Sequence, residues 1–333
     1  MPSFKSFNTK AKSEDNTGFG ANSSYNAGRF INKNGIANVR KTGLGLLERY
    51  SLYHTMLALP RWKFFVAIFC FFIMINIAFA FIYYTIGVDQ LEGISLGSAI
   101  HNLGEAFFFS AQTFTTVGYG RISPTSFLTS SIAAMEALTG LLSFAVVTGL
   151  FYGRFSRPRA FLRFSENMLI GPYKEITGLM FRMAPYKNNQ LTEAETKLTM
   201  AMQMEENGKM MNKFYTLDLE ISKVTALTLS WTVVHAIDEK SPLYNLTQED
   251  LLNIKIEFIV YVKAFDEAFS NTVIGRTSYT GKEIIYGALF KRMYEADKGG
   301  NSTILFIDRL NDMERAELPD TLVNKNELNS QLN

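Results

Sequence analysis

Two stretches almost free of charge limit what this chain can fold into more than any other feature. Residues 64–84 carry no charged side chain in 21 positions, and residues 127–152 carry one, Glu136, in 26. About 18 consecutive apolar residues already suffice to cross a bilayer, and no core helix of a soluble domain needs runs of that length and purity. A wholly soluble protein is therefore excluded. The single cysteine, Cys70, sits inside the first run without a partner, which excludes a disulfide scaffold. A chain that is 47% hydrophobic is also too apolar to be disordered, apart from its first 30 or so residues.

Charge then sets the direction of insertion. Residues 1–63 hold ten Lys and Arg against three acids, and Arg154, Arg157, Arg159 and Arg163 follow the second run before any acid appears. The connecting segment, 85–126, has one Arg against Asp89, Glu92 and Glu105. The positive-inside bias thus predicts a multi-pass protein of the cell's inner (plasma) membrane, with both termini cytoplasmic and the loop outside. A run starting at residue 64, with no small-residue cleavage site after it, does not read as a cleaved signal peptide.

Residues 1–35, rich in Ser, Asn, Gly and Lys, read as a mobile tail. Over 36–60, Leu46, Leu47, Tyr50, Leu57 and Ala58 recur at helical spacing before Pro60, as in an amphipathic helix lying on the inner membrane surface; an ordinary juxtamembrane turn is the alternative. Membrane-spanning helices are expected at about 62–85 and 127–153. The second is rich in Ala, Ser and Gly, which favours close helix packing, and Gly140 near its middle offers a hinge. From about 158 to 320 the period changes to two. Leu198, Met200, Met202 and Met204 alternate with Thr199, Ala201 and Gln203, and Phe258, Val260 and Val262 with Ile259, Tyr261 and Lys263. Further β-rich runs at 178–183, 224–234 and 270–280, with turn residues at 207–208, 238–242 and 299–300, predict a β-sandwich. Residues 321–333 read as a C-terminal tail.

The segment between the spans, 98–124, reads SAIHNLGEAFFFSAQTFTTVGYGRISP. Residues 99–113 form a helix candidate too short to cross the membrane, so it must re-enter and return. It runs into Thr115, Thr116, Val117, Gly118, Tyr119 and Gly120. A dehydrated cation needs oxygen ligands all round. An extended loop can supply them from its backbone if successive carbonyls face one way, and Gly118 and Gly120 permit the angles that this requires. The backbone of Thr116, Val117, Gly118 and Tyr119 would then hold the cation, with the Thr116 hydroxyl at the inner end and Val117 and Tyr119 turned back as braces. One chain has one such loop, so a carbonyl ring implies a cyclic homotetramer. The C-terminal end of the short helix, partially negative, favours a cation at the centre.

The hexapeptide resembles the potassium-channel filter sequence itself. From about residue 34 onward the chain resembles prokaryotic inward-rectifier-type potassium channels, the KirBac group. FSRP at 155–158 resembles that family's basic exit from the inner helix, and LRFS at 162–165 its first cytoplasmic strand. SWTVVHAIDEKSPLY at 230–244 is similar to a long signature of its cytoplasmic domain, and GRTSY at 275–279 and EIIYG at 283–287 resemble later strands. The resemblance implies a two-helix pore domain over 61–157 and an immunoglobulin-like cytoplasmic β-sandwich over 158–320, four copies of which extend the pore inward. It implies passive, voltage-independent K+ conduction, with no cofactor beyond the permeant ion.

Individual positions depart from the family pattern. Where strong rectifiers carry a polyamine-holding acid on the inner helix, this chain has Phe144, so strong polyamine rectification is not expected. Four Phe144 rings facing a pore would form a dewetting gate, with Tyr152, two turns on, as a second candidate; the alternative is that Phe144 faces lipid or another helix. Gln112 and Ile122 stand where many members place an acid–base pair behind the filter, so filter support falls to hydrogen bonding and packing around Gln112. Glu136 reads either as filter support or as a direct influence on ions. Glu267 corresponds to a vestibule acid, in a region (164–333) with 18 basic and 24 acidic residues. Arg61, Lys63, Arg154, Arg157, Arg159 and Arg163 resemble the family's site for anionic phospholipid or phosphoinositide, though basic residues there also serve simply to fix topology.

Enzyme chemistry is excluded on inventory. His54, His101 and His235 lie in unrelated segments, and there is no phosphate-binding glycine loop and no Cys/His metal spacing. Nothing in the composition points to nucleic acid. The alternative function is a subunit of a K+ transporter with a filter-like loop.

Overall fold

The computed structural model describes residues 18, 29–43, 45, 51–206 and 209–319. The chain divides into two compact units, residues 41–157 and a unit formed by residues 1–40 with 158–333.

In the first unit, Ser51 caps α1 (Leu52–Ala58), accepting from the His54 N–H. The first half of the surface helix expected here lies outside the described residues. Pro60, whose ring fixes φ and which lacks a donor, precedes α2 (Arg61–Ile86). Ser98 caps α3 (Ala99–Phe114), and Ser126, in a reciprocal capping box with Thr129, starts α4 (Phe127–Phe155). Both α2 and α4 are long and apolar enough to cross a membrane. Two short strands, β1 (Leu91–Glu92) and β2 (Ser123–Pro124), clip the loops flanking α3 together. A core of Ala80, Tyr83, Leu91, Ala106, Phe109, Ile122 and Ala133 joins α2, α3, α4 and these loops.

In the second unit, two five-stranded sheets pack face to face. One is built on β3 (Leu162–Phe164), β4 (Met168–Tyr173), β5 (Ile176–Pro185), β9 (Trp231–Ala236) and β12 (Ile284–Tyr286). The other is built on β6 (Leu191–Glu206), β7 (Lys209–Leu217), β8 (Lys223–Leu227), β10 (Ile256–Asp266) and β11 (Asn271–Thr280). The inward sets are those read from the two-residue period: Leu198, Met200 and Met202 of β6 and Phe258, Val260 and Val262 of β10 meet Met168, Ile170, Leu179, Phe181 and Met183 of the opposite sheet. The sandwich expected from the sequence is the fold. The run 224–234 is nevertheless two strands in different sheets, β8 and β9, because residues 228–230 leave one sheet for the other without any Gly or Pro to mark the crossing.

The tail expected over 1–35 ends before residue 29. Ile31 is buried and bridges Ala37, and with Phe30 it covers Ala201, Phe214 and Ile259 on the outer face of the second sheet. Glu257 accepts the N–H groups of Phe30 (2.5 Å) and Ile31 (3.0 Å), Thr277 donates to the Lys33 carbonyl (3.1 Å), and Ser278 donates to that of Ile31. Arg29 and Lys33 both pair with Glu283. Ile259, on the face of β10 opposite Phe258 and Val260, is buried because this strap covers it. Residues 19–28 and 320–333, like the turn at 207–208, lie outside the described residues.

Candidate functional site

α3 ends where β-branched residues succeed one another. The Thr115 N–H and hydroxyl both donate to the Ala111 carbonyl, at 3.2 and 2.7 Å, closing the helix. Backbone hand then alternates: positive φ falls on Thr116 (59°), Gly118 (52°) and Gly120 (80°), and on neither residue between them. Alternation of this kind undoes the strand habit of pointing successive carbonyls to opposite sides. Thr116 takes a left-handed conformation that a β-branched residue rarely adopts, so strain is held at the start of the loop. The N–H groups of Val117 and Gly118 both bind the Gln112 carbonyl, at 3.0 and 3.3 Å. Support from Gln112 thus comes through its main chain; its side chain takes no hydrogen-bond partner among the described residues. The carbonyl oxygens of Thr116, Val117, Gly118 and Tyr119 likewise accept no hydrogen bond within the described residues. These acceptors, exposed in a row, are open to ligands from elsewhere. Val117 and Tyr119 are exposed within the single chain, Tyr119 by 78%, so the bracing expected of them has no partner inside it.

Beyond the filter loop, Arg121 pairs with Glu105 of α3 at 2.5 Å, which ties the end of the loop to the middle of its helix. Ile122 is buried. Glu136 lies fully buried behind α3, bound by Ser110 and Tyr83 at 2.5 and 2.7 Å, with Asn76 at 3.0 Å from Ser110. Asn76 and Ser110 have no role in the sequence reading; Tyr83, which with Tyr84 reads there as an interfacial aromatic at the end of the first span, is fully buried instead. The available signal was a lone Asn in an otherwise apolar span, for a buried amide in such a helix requires a polar partner.

Gly140, expected as a hinge, stands mid-way in an unbroken 29-residue helix. A Cβ there would lie 1.9 Å from the Phe114 carbonyl oxygen. The position thus has a packing reason, the close approach of α4 to the end of α3. Phe144 and Tyr152 are both exposed on α4 within the single chain, and eight residues at 3.6 per turn set them about 80° apart round the helix.

The basic residues do not form one set. The Arg154 guanidinium donates to the carbonyls of Met56, Leu57 and Leu59 (3.3, 3.4 and 2.7 Å) and lies over the Phe64 ring, so it caps α1 and has few donors left for a headgroup. Arg61, Lys63 and Arg157 are exposed on the helical unit; Arg159 and Arg163 are exposed on the β-unit, Arg163 over the Tyr186 ring. Glu267 is exposed in the turn between β10 and β11. His235 is buried, with Nδ1 facing the Asp218 carbonyl (2.6 Å) and Nε2 facing the Ser241 hydroxyl (2.8 Å); burial holds it below its ordinary 6.5, as a satisfied neutral ring. No cluster of metal-binding side chains occurs among the described residues.

Two membrane-length helices, a re-entrant helix ending in a loop of unpaired carbonyls, and a β-sandwich define a pore-forming ion-channel subunit. The comparisons agree. The family described as ion channel matches residues 70–157, and that described as inward rectifier potassium channel C-terminal domain matches residues 162–331. The chain is 36% identical over 266 residues to the inward rectifier potassium channel Kirbac3.1 of Paramagnetospirillum magnetotacticum, covering 79% of this chain and 88% of that one. It is 25% identical over 298 residues to irk-1 of Caenorhabditis elegans and 27% identical over 298 residues to the human G protein-activated inward rectifier potassium channel 1. Those matches take in 82% and 81% of this chain but only 54% and 58% of the animal proteins. The chain belongs to the inward rectifier potassium channel family. It is a K+ channel and not an enzyme, and tetramers are typical of the family.

Proposed function

We propose that four copies of this chain surround a pore in the cell's inner (plasma) membrane and pass K+ down its gradient, with the main-chain oxygens of Thr116, Val117, Gly118 and Tyr119 replacing the ion's water. The observation that carries this reading is the row of unpaired carbonyls on a backbone whose hand alternates at residues 116, 118 and 120. Both termini and the β-sandwich lie in the cytoplasm, following the charge bias of the flanking segments. Conduction is gated on α4, at Phe144 or Tyr152, and by the β-sandwich. Phe144, an apolar ring, gives little hold to a polyamine, so rectification is weak. Anionic lipid acts on Arg61, Lys63, Arg157, Arg159 and Arg163, each worth about 1 kcal/mol near a charged surface. Glu267 adds to the negative potential of the acidic β-sandwich, which concentrates cations.

Rubidium uptake into proteoliposomes, with K+ and Na+ as competitors and barium as blocker, tests the proposal. K+ should compete and Na+ should not. Equal competition by the two ions would refute the carbonyl filter.

A further inference from the structure

Four fully buried polar side chains join the three helices of the pore unit: Asn76 and Tyr83 on α2, Ser110 on α3 and Glu136 on α4. Asn76 Nδ2 donates to the Phe72 carbonyl at 2.7 Å, which turns Oδ1 toward Ser110. The reversed amide would set Oδ1 against that carbonyl at the same 2.7 Å, so the orientation is fixed. Three oxygen–oxygen contacts follow in series: Asn76 Oδ1 to Ser110 Oγ at 3.0 Å, Ser110 Oγ to Glu136 Oε1 at 2.5 Å, and Glu136 Oε2 to Tyr83 Oη at 2.7 Å.

Three such contacts need three protons, and the two hydroxyls supply two. An ionised Glu136 leaves one contact without a proton, with two oxygen acceptors face to face in a site that excludes water. No cation pairs with Glu136 among the described residues to offset a buried charge. A carboxylic acid completes the series. Ser110 then donates to Asn76 and accepts from Glu136, while Tyr83 donates to the other carboxyl oxygen, and every group is satisfied.

We infer that Glu136 is held as a neutral carboxylic acid, and that this uncharged chain of hydrogen bonds positions α3, and with it the filter loop, between α2 and α4. The inference rests on the channel reading above and deepens it. Glu136 acts as a positioning residue, without a charge to exert on passing ions. Ser110 lies two residues before Gln112, whose carbonyl holds the N–H groups of Val117 and Gly118, so a shift of α3 is transmitted directly to the loop.

Glu136→Gln tests this in the full-length tetramer. The amide reproduces the acid's pattern, donating to Ser110 and accepting from Tyr83. It should leave rubidium flux and K+ over Na+ discrimination within about twofold of the unaltered channel from pH 6 to 8.5. Glu136→Ala strands the buried Tyr83 hydroxyl donor, Ser110→Ala strands the Asn76 acceptor and the Glu136 donor, and each should lower that discrimination about tenfold. If Glu136→Gln fails as Glu136→Ala does, a charge is required and the inference is wrong. If Glu136→Ala keeps full discrimination, the positioning role is wrong.

Infrared difference spectra between the unaltered chain and Glu136→Gln, taken near pH 7, do not depend on the alanine variants assembling. A protonated-carboxyl C=O band should be lost with the substitution, and its absence from the unaltered chain would overturn the inference. Failure of the channel reading would look different: the unaltered protein itself would not distinguish K+ from Na+, whatever the infrared band.

Discussion

Gly140→Ala separates a packing role from a hinge. The added Cβ would sit 1.9 Å from the Phe114 carbonyl oxygen, 2.8 Å from its carbon and 3.1 Å from its Cα. Real Cβ atoms essentially never approach within 3.0 Å, so α3 and α4 must separate by about 1.1 Å at this point. The obstructing atoms are backbone, which no rotamer change can move, so the strain belongs near the top of the usual overpacking range of about 1–3 kcal/mol. Alanine returns about 1 kcal/mol of helix propensity. The net cost, roughly 1–2 kcal/mol per subunit, disfavours the native α3–α4 contact about five- to thirtyfold. Phe114 is the last residue of α3, so the displacement falls where the filter loop begins. Rubidium uptake against K+ and Na+ should show weakened discrimination, and gel filtration after graded heating should show the tetramer dissociating at lower temperature. Gly149→Ala on the same helix, where a Cβ meets nothing within 4 Å in the chain, should match the unaltered protein in both assays. A Gly140→Ala channel with unchanged selectivity and heat resistance, but a changed open probability, would refute the packing argument and restore the hinge.

Four further outcomes are expected. Phe144→Ala should raise rubidium flux without altering selectivity; unchanged flux removes that ring as a gate. Neutralising Arg157 and Arg159 together should abolish any effect of anionic lipid on flux, whereas Arg154→Gln should chiefly loosen α1, measured as faster proteolysis around residues 52–59. Ile31→Ala removes the buried anchor of the N-terminal strap. Trypsin should then cut at Lys33, Arg40 and Lys41 about tenfold faster, with the loss capped by the strap's own docking free energy rather than the full ~2–5 kcal/mol of a core truncation. His235 is a base held below its ordinary 6.5 by burial, so the unfolded chain binds the proton more readily. Its contribution to β-sandwich stability is present above pH 6.5 and is lost as pH falls through 6.5 toward the folded value; unfolding followed by Trp231 fluorescence should show that slope, and His235→Gln should flatten it.

Much of this architecture is legible in the sequence because it rests on signals that act locally. Length and purity of apolar runs mark α2 and α4, and a two-residue period marks the faces of β6 and β10. The filter loop is legible for a stronger reason: alternating backbone hand is written into the chain as glycines at 118 and 120, though the third position with positive φ, Thr116, has no such mark. What could not be read depends on partners distant along the chain. Ile259 looks outward until residues 29–38 return to cover it, 227 positions from Glu257 to Phe30 notwithstanding. Arg154 looks like one more basic residue at a membrane surface until α1 presents it with three carbonyls.

Gly140 and Glu136 show why a residue type alone misleads inside a membrane span. A glycine mid-helix is equally a place to bend and a place to approach, and only the carbonyl lying opposite decides between them. An acid mid-helix is equally a charge aimed at ions and a neutral donor, and only the count of protons around it decides. In both cases the deciding group lies on α3, the helix that carries the filter. Close packing at Phe114 and hydrogen bonding at Ser110 hold that helix at two points one turn apart, on its way into a loop that hangs from the helix end by the Thr116 N–H on the Thr113 carbonyl and the N–H groups of Val117 and Gly118 on the Gln112 carbonyl.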